Sequence, residues 1–373
     1  MARLRRSHYP GPGIRRRRHG RGFGYRWDSG DAVRDDAVLE RIARLAIPPA
    51  WKEVWICPWA NGHLQAVGTD AAGRRQYRYH DEWRRRRDAE KFDRMLEFAR
   101  ALPALRDTVA AHLAEEGLGR DRVLAAAVRL IDVGLLRVGG EEYAEEHETY
   151  GAATLLREHV RLRRAGTIVV DFTGKAGKPH HLELRDGELA EVLKALKARR
   201  TGGPELFAWR ECGGVHDVRS EDINQYVKAL MGDEFSAKDF RTWSATVLAA
   251  AELAGAAGEQ PSRGGRRRRA SPSLSSRRGA VVSAMRAVAD QLGNTPAVCR
   301  SSYVDPRVVD RFNAGHTLRL PAGAAVGADR DADALGAAAG SDPWRARRLL
   351  EAALLELLEE GGAGRGESVR SAA

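Results

Sequence analysis

With 373 residues the chain is long for a single domain, at a soft prior of roughly 150 residues each, so two domains of ordinary size are the starting expectation. Its 62 Lys+Arg against 51 Asp+Glu leave a formal net charge of +11, which points to an acidic polymer as partner, nucleic acid being the commonest. A 43% hydrophobic share supports a real core, yet no run approaches the roughly 18 to 20 apolar residues that span a bilayer, and the Arg-rich start has no apolar signal segment. Cys57, Cys212 and Cys299 form neither a disulfide framework nor a CxxC metal site, so a reducing, cytoplasmic compartment is expected.

Residues 1–27 hold nine Arg and no acid among interspersed Gly and Pro, which predicts a basic disordered arm that raises non-specific, salt-sensitive affinity. From Val54 to Tyr79 short β-prone runs are separated by Asn61-Gly62 and by the turn from Asp70 to Gly73, so residues 28–81 read as a small antiparallel sheet domain. Thereafter apolar residues recur at three- and four-residue spacing, predicting helices over 82–102, 105–116, 121–137, 188–200, 220–231, 237–254 and 280–292 within a domain of residues 82–316. One hairpin interrupts them, with TIVVDF (167–172) and HHLEL (180–184) flanking a turn that contains Gly174 and Gly177. Residues 255–279, with seven Arg and one Glu among Gly, Ser and Pro, read as a flexible basic insertion. Residues 317–373 read as an accessory tail, an Ala/Gly-rich linker followed by an amphipathic helix from Pro343 to Glu360. The fold class is therefore α+β, a small N-terminal antiparallel β-sheet domain followed by a larger, mainly α-helical one.

A metal site fails on spacing. His180 and His181 are neighbours on a predicted strand and face opposite sides, and the chain has no HxxxH, HExxH or paired Cys/His pattern. There is no GxxxxGK[ST] phosphate loop, and the glycines of Leu136-Arg-Val-Gly-Gly140 lack the flanking strand of a dinucleotide site, so no cofactor is expected. What remains is a set of cations and one tyrosine near the ends of predicted elements: Arg137, Lys175, Arg241, then Asn294 and Tyr303 nine positions apart. Singly, each reads as a solvated or structural residue.

Together, in order, they resemble the type IB DNA topoisomerases in the short poxvirus and bacterial form. The resemblance runs from about Gly24 to His316 and rests on six motifs: Gly-Arg-Arg-Gln-Tyr-Arg-Tyr (73–79), Arg-Val-Gly-Gly-Glu-Glu-Tyr (137–143), Glu-Thr-Tyr-Gly-Ala-Ala-Thr-Leu (148–155), Phe-Thr-Gly-Lys (172–175), Lys-Asp-Phe-Arg-Thr-Trp (238–243) and Leu-Gly-Asn-Thr-Pro with the following Tyr (292–303). It implies that Tyr303 is the nucleophile, that Arg137, Lys175 and Arg241 are the catalytic cations, and that the two domains close round duplex DNA as a clamp. These residue types suit the chemistry. A tyrosine with an ordinary pKa near 10 needs neighbouring positive charge, and guanidinium forks match the oxygens of the phosphate it attacks. Lys175 would protonate the departing 5′-oxygen, and the 3′-phosphotyrosyl ester would keep the bond energy, so resealing needs no ATP. Asn294 stands where many family members have histidine, which leaves a neutral hydrogen-bond donor.

The resemblance also implies that Gln76 reads a base edge, that Tyr77 and Tyr79 contact phosphates, and that Tyr143 and Thr154 lie near the cleaved strand, while Gly140 stands where the family often has lysine. Alternation alone would equally allow Tyr77 and Tyr79 to be an aromatic pair in the sheet core. A monomer acting on double-stranded DNA, away from membranes and in contact with the nucleoid, is the expected form. Two other readings share parts of the pattern: a tyrosine recombinase, which has the same Arg, Lys, Arg, Tyr logic but usually begins with a helical domain, and a non-catalytic architectural DNA-binding protein.

Overall fold

A computed structural model describes residues 3–141, 144, 148–211, 214–258, 274–319 and 343–370. Tyr143, Cys212, most of the basic insertion and the Ala/Gly-rich linker lie outside them. The chain divides into two compact units, residues 1–93 and 94–373. Among the described residues no helix is long and apolar enough to cross a membrane.

The first unit is built on a five-stranded antiparallel sheet of β1 (Ile14–His19), β2 (Gly22–Trp27), β3 (Lys52–Ile56), β4 (Leu64–Thr69) and β5 (Arg75–Tyr79), in spatial order β2-β1-β3-β4-β5. One face packs Ile14, Val54, Ile56 and Ala66 against Ile42 of α1 (Asp36–Arg44); the alternate positions Trp55, Cys57, Leu64 and Val67 form a second apolar cluster. The segment expected to be a disordered arm is thus largely ordered: β1 and β2 form a hairpin in register from Ile14 opposite Trp27 to His19 opposite Gly22. Composition hid this because a strand needs an apolar residue only where it meets the core, and Ile14, Tyr25 and Trp27 reach a core supplied by residues further along the chain. The arginines find local partners. Arg15 Nε pairs with Asp28 at 2.9 Å, and Arg16 donates to the carbonyls of Pro48 (3.1 Å) and Trp51 (2.5 Å) with its guanidinium 4.1 Å from the centre of the Phe23 ring.

The two helices expected over 82–102 and 105–116 are one, α2 (Asp81–Leu113), with Pro103 inside it. An internal proline costs about 3 kcal/mol, and burying Leu102 and Leu105 on either side is worth roughly 1.5–3 kcal/mol each, so packing carries the helix through. In the second unit α3 (Arg120–Gly134) is buried on every side from Val123 to Ile131 and forms the central core helix. The expected hairpin is present as β7 (Thr167–Gly174) and β8 (Lys178–Arg185), with β6 (Val160–Leu162) completing a three-stranded sheet and a further pair, β9 (Ala208–Glu211) and β10 (Gly214–Asp217), that periodicity missed. The helices α4 (Gly187–Ala198), α5 (Ser220–Met231), α6 (Ala237–Gly258), α7 (Leu274–Leu292), α8 (Pro296–Ser302) and α9 (Pro306–Asn313) follow. Helix α4 is N-capped by Asp186, whose other carboxylate oxygen pairs with Arg129 of α3 at 2.7 Å. The ends of α6 and α7 extend into the expected basic insertion, to Gly258 and from Leu274.

The C-terminal helix α10 (Pro343–Arg370) is not an accessory tail. Leu350, Leu354, Leu357 and Leu358 are buried, and Arg347 and Glu351 join a buried ion network with Arg106 of α2 and Asp132 of α3. Arg106 meets Asp132 at 2.8 Å and Glu351 at 2.6 Å; Arg347 meets Asp132 at 2.9 Å and Glu351 at 3.1 Å, and also donates to the Asp132 carbonyl and the Ser244 hydroxyl, both at 2.7 Å. Linker composition preceding the helix made it look detachable; its apolar face and two of its charges complete the core.

Removing one partner from a buried network leaves uncompensated charge. Arg347→Met is expected to lower the unfolding free energy by about 3–5 kcal/mol in a urea titration of the full chain. Burial alone would raise the Asp132 carboxyl, but Arg106 and Arg347 outweigh it and hold the group below the usual carboxylate value. Its contribution is therefore complete above about pH 4 and disappears as the pH falls through the depressed value, a loss that Asp132→Asn should abolish in an acid titration. Deleting residues 1–20 takes β1 from between β2 and β3, so reduced solubility or a lower Tm is expected rather than weaker DNA binding alone; an unchanged Tm would show the strand to be dispensable.

Candidate active site

The second unit contains the five candidate residues on four stretches of chain. Helix α3 closes at Leu135, whose left-handed conformation (φ 54°, ψ 28°) turns the chain so that Arg137 emerges half-buried. The loop that carries Arg137 lies directly on residues 150–154: Ala152 N–H donates to the Arg137 carbonyl at 2.8 Å and Ala153 N–H to Val138 at 2.7 Å. A Cβ on Gly151 would fall 2.4 Å from the Gly139 nitrogen, and Gly139 has a φ of +86°, so the glycines of both motifs serve this close approach. Thr154, which the resemblance places near the cleaved strand, has its side chain packed inward. It is buried with its hydroxyl accepting from the Gly151 N–H at 3.0 Å, a brace beneath the loop.

Arg241 projects from the first turns of α6 and is only 3% exposed. Its guanidinium donates to the carbonyl of Leu135 and, at 2.8 Å, to that of Leu292, which fixes it between the ends of α3 and α7; its Nε has no partner. Burial lowers its pKa to about 10, with the nearby Arg137 adding to the fall and Tyr303 opposing it, so it stays charged at neutral pH. Arg137 is likewise pulled below the ordinary arginine value by burial. Its Nη2 donates to Asn294 Oδ1, which orients that amide, and Asn294 Nδ2 is left buried and unpartnered. Tyr303 follows α8, its N–H bonded to the Cys299 carbonyl at 3.0 Å and its carbonyl accepting from Thr246 Oγ1 at 3.2 Å. Helix α6 therefore supplies both Arg241 and the tether of the tyrosine backbone. The Arg241 guanidinium carbon lies 5.7 Å from the centre of the Tyr303 ring.

Lys175 sits exposed at the tip between β7 and β8, where Ala176 and Gly177 take positive φ values of 65° and 70°. It lines one pocket together with Arg137, Tyr150, Phe172, His180 and Arg241. The Tyr150 N–H donates to the Thr173 carbonyl at 2.9 Å, joining the loop above α3 to the base of this hairpin. Sequence reasoning missed Tyr150, His180 and Thr246. His180 could have been found from the hairpin register, since it pairs with Phe172 on the same short hairpin as Lys175.

In the first unit Tyr77 and Tyr79 are 47% and 39% exposed and stacked on each other, with ring centres 6.2 Å apart, so they are not a core pair. Gln76 lies on the other face of β5, half-buried, its amide donating to Asp70 Oδ2 at 2.9 Å. A basic pocket beside Tyr79 is lined by Arg41, Arg44, Arg78, His80 and Arg84.

A cationic pocket beside a tyrosine in one unit, and an exposed tyrosine pair on the β-sheet of the other, can be compared with known proteins. Residues 80–314 match the family model of the eukaryotic DNA topoisomerase I catalytic core, and residues 22–70 match that of the bacterial DNA topoisomerase IB N-terminal domain. The chain is 30% identical over 297 residues to DNA topoisomerase 1B of Acanthamoeba polyphaga mimivirus, covering 78% of this chain and 85% of that protein. It is 34% identical over 134 residues to DNA topoisomerase 1 of Schizosaccharomyces pombe, covering 36% of this chain but only 16% of that protein. With DNA topoisomerase I of Monkeypox virus the identity is 23% over 205 residues, 52% of this chain and 64% of the viral protein. With one family model over its helical part, another over part of its N-terminal sheet unit, and a viral relative along most of its length, this chain belongs to the type IB DNA topoisomerase family.

Proposed function

We propose that the Tyr303 hydroxyl breaks one strand of duplex DNA and that the same site reseals it, so that supercoils of either sign relax without ATP. The observation that carries this reading is the convergence of four side chains from three elements: Arg241 beside the Tyr303 ring, Arg137 bonded to Asn294, and unpartnered donors on Arg241 and Asn294. In the forward step Tyr303 Oη attacks the scissile phosphorus and loses its proton to solvent, the P–O5′ bond breaks, and a 3′-phosphotyrosyl ester forms. Negative charge growing on the non-bridging oxygens meets two fixed guanidinium groups rather than water that must reorganise. The leaving 5′-oxygen takes a proton from Lys175, which the flexible stem can swing in from the hairpin tip. Reversal returns that proton, expels Tyr303 and restores the strand.

Asn294 fits the donor role because its Oδ1 is already committed to Arg137, which leaves Nδ2 to donate. In the first unit the exposed tyrosine pair suits contact with the phosphate backbone, whereas Gln76 would have to leave Asp70 before reading a base edge. All five candidate groups come from one chain, which supports action as a monomer. Contact with the nucleoid follows from the substrate.

Incubation with supercoiled plasmid in EDTA without ATP is expected to give relaxed topoisomers and a denaturant-trapped adduct on the 3′ side of the break, both lost in Tyr303→Phe. Cleavage confined to paired recombination sites would favour the recombinase reading, and relaxation surviving in Tyr303→Phe would remove this tyrosine from its role. Arg137→Ala, Lys175→Ala and Arg241→Ala are each expected to slow single-turnover cleavage by about a hundredfold or more, as when a transition-state donor is lost. A variant that cleaves at nearly the normal rate would reject that residue's assignment.

A further inference from the structure

Tyr150, Lys178 and His180 line the same pocket as Arg137, Lys175 and Arg241, and of these three added side chains His180 carries a buried nitrogen with no partner. His180 lies on β8, opposite Phe172 of β7, and its ring packs edge-on to the Phe172 ring with centres 4.8 Å apart. Its neighbour His181 points the other way, exposed and 2.5 Å from Asp171. The Nε2 atom of His180 is shut off from solvent and has no hydrogen-bond partner, on a ring that lines the same pocket as Arg137, Lys175 and Arg241. A buried polar atom without a partner is unfavourable, so such atoms mark places where a ligand completes the bonding.

The walls decide what that ligand is. Arg137, Lys175, Lys178 and Arg241 make the pocket cationic, so it takes an anion, and the oxygens of a phosphodiester only accept hydrogen bonds. A bond from the ring to such an oxygen requires the hydrogen on Nε2. The surroundings also keep the ring uncharged: burial, then Arg241 and Arg137, with His181 adding to them, push its pKa down to about 4. A neutral imidazole has a single N–H, and the pocket side is where it is useful.

We propose that His180 is a further catalytic residue, its Nε2–H donating to a non-bridging oxygen of the scissile phosphate. This rests on the assignment of Tyr303 and its cations above. His180 Nε2 then joins Arg241 Nε and Asn294 Nδ2 as a buried nitrogen without a hydrogen-bond partner. Lys175 and His180 then ride on one β-hairpin, so docking its tip would bring the proton donor and an oxyanion donor to the phosphate together.

Single-turnover cleavage of a duplex oligonucleotide tests the assignment, using the normal scissile phosphate and each of the two methylphosphonate stereoisomers. His180→Ala is expected to slow cleavage of the normal phosphate by about a hundredfold with unchanged DNA affinity and Tm. His180→Gln, whose amide nitrogen can approach the place of Nε2, should recover most of the rate, and His180→Asn, whose nitrogen lies nearer the place of Nδ1, should not. The gap between wild type and His180→Ala should vanish with the stereoisomer that lacks the contacted oxygen and persist with the other. Normal cleavage by His180→Ala, a Gln variant no faster than the Asn variant, or equal gaps with both stereoisomers would overturn the proposal. Tyr303→Phe is run alongside: residual adduct there would defeat the assignment of the nucleophile, whereas an adduct absent from it but normal in His180→Ala would defeat only the role of the histidine.

Discussion

Two guanidinium groups held close together, one of them almost out of reach of water, are the constraint round which the catalytic unit is arranged. Like charges repel strongly where the effective dielectric is low, and burial already depresses both arginines. Among the described residues both are held by amide carbonyls: Arg241 donates to the carbonyls of Leu135 and Leu292, and Arg137 to the side-chain carbonyl of Asn294. Carbonyls hold the cations in place without neutralising them, so the positive field remains available to an incoming phosphate. The left-handed turn at Leu135 follows from the same requirement, since it ends α3 where its carbonyl meets Arg241.

The candidate site was legible in the sequence because its residues are set in short stretches that keep their character wherever they fold. Lys-Asp-Phe-Arg-Thr-Trp and Leu-Gly-Asn-Thr-Pro can be recognised without knowing what they pack against. Likewise the hairpin carrying Lys175 announces itself by alternating residues round a glycine turn. His180 was visible but misjudged: as half of a His-His pair it was weighed only as a metal ligand, and nothing local says that its ring joins arginines from elsewhere in the chain. The burial of Thr154 was not legible either. Its motif was right, but the close packing of Gly139 on Gly151 turns the side chain inward, and that depends on two loops meeting.

Long-range burial was the least legible. Arg106, Asp132, Arg347 and Glu351 are scattered over the chain and look like ordinary surface charges until α2, α3 and α10 pack together. The network reaches the site by short steps. Asp132 lies five residues before Arg137, and Ser244, which accepts from Arg347, lies three after Arg241. A helix separated from the rest by low-complexity sequence thus bonds to α3 and α6 within a few residues of the two candidate arginines.

The β1–β2 hairpin alters how the opening charge imbalance is to be understood. Arg16 is bonded to backbone carbonyls, Arg15 pairs with Asp28, Arg26 donates to the Gly30 carbonyl at 2.8 Å, and Arg5 lies over the Trp59 ring at 3.6 Å. Side chains engaged in this way have already given up rotamer freedom on folding, and their positions are fixed relative to the sheet. The number of counterions that the N-terminal segment displaces from DNA is then governed by which arginines point outward from a rigid surface, not by how many the segment contains. Its electrostatics are those of a patterned face, in which the spacing of charges carries information that a net total of +11 cannot.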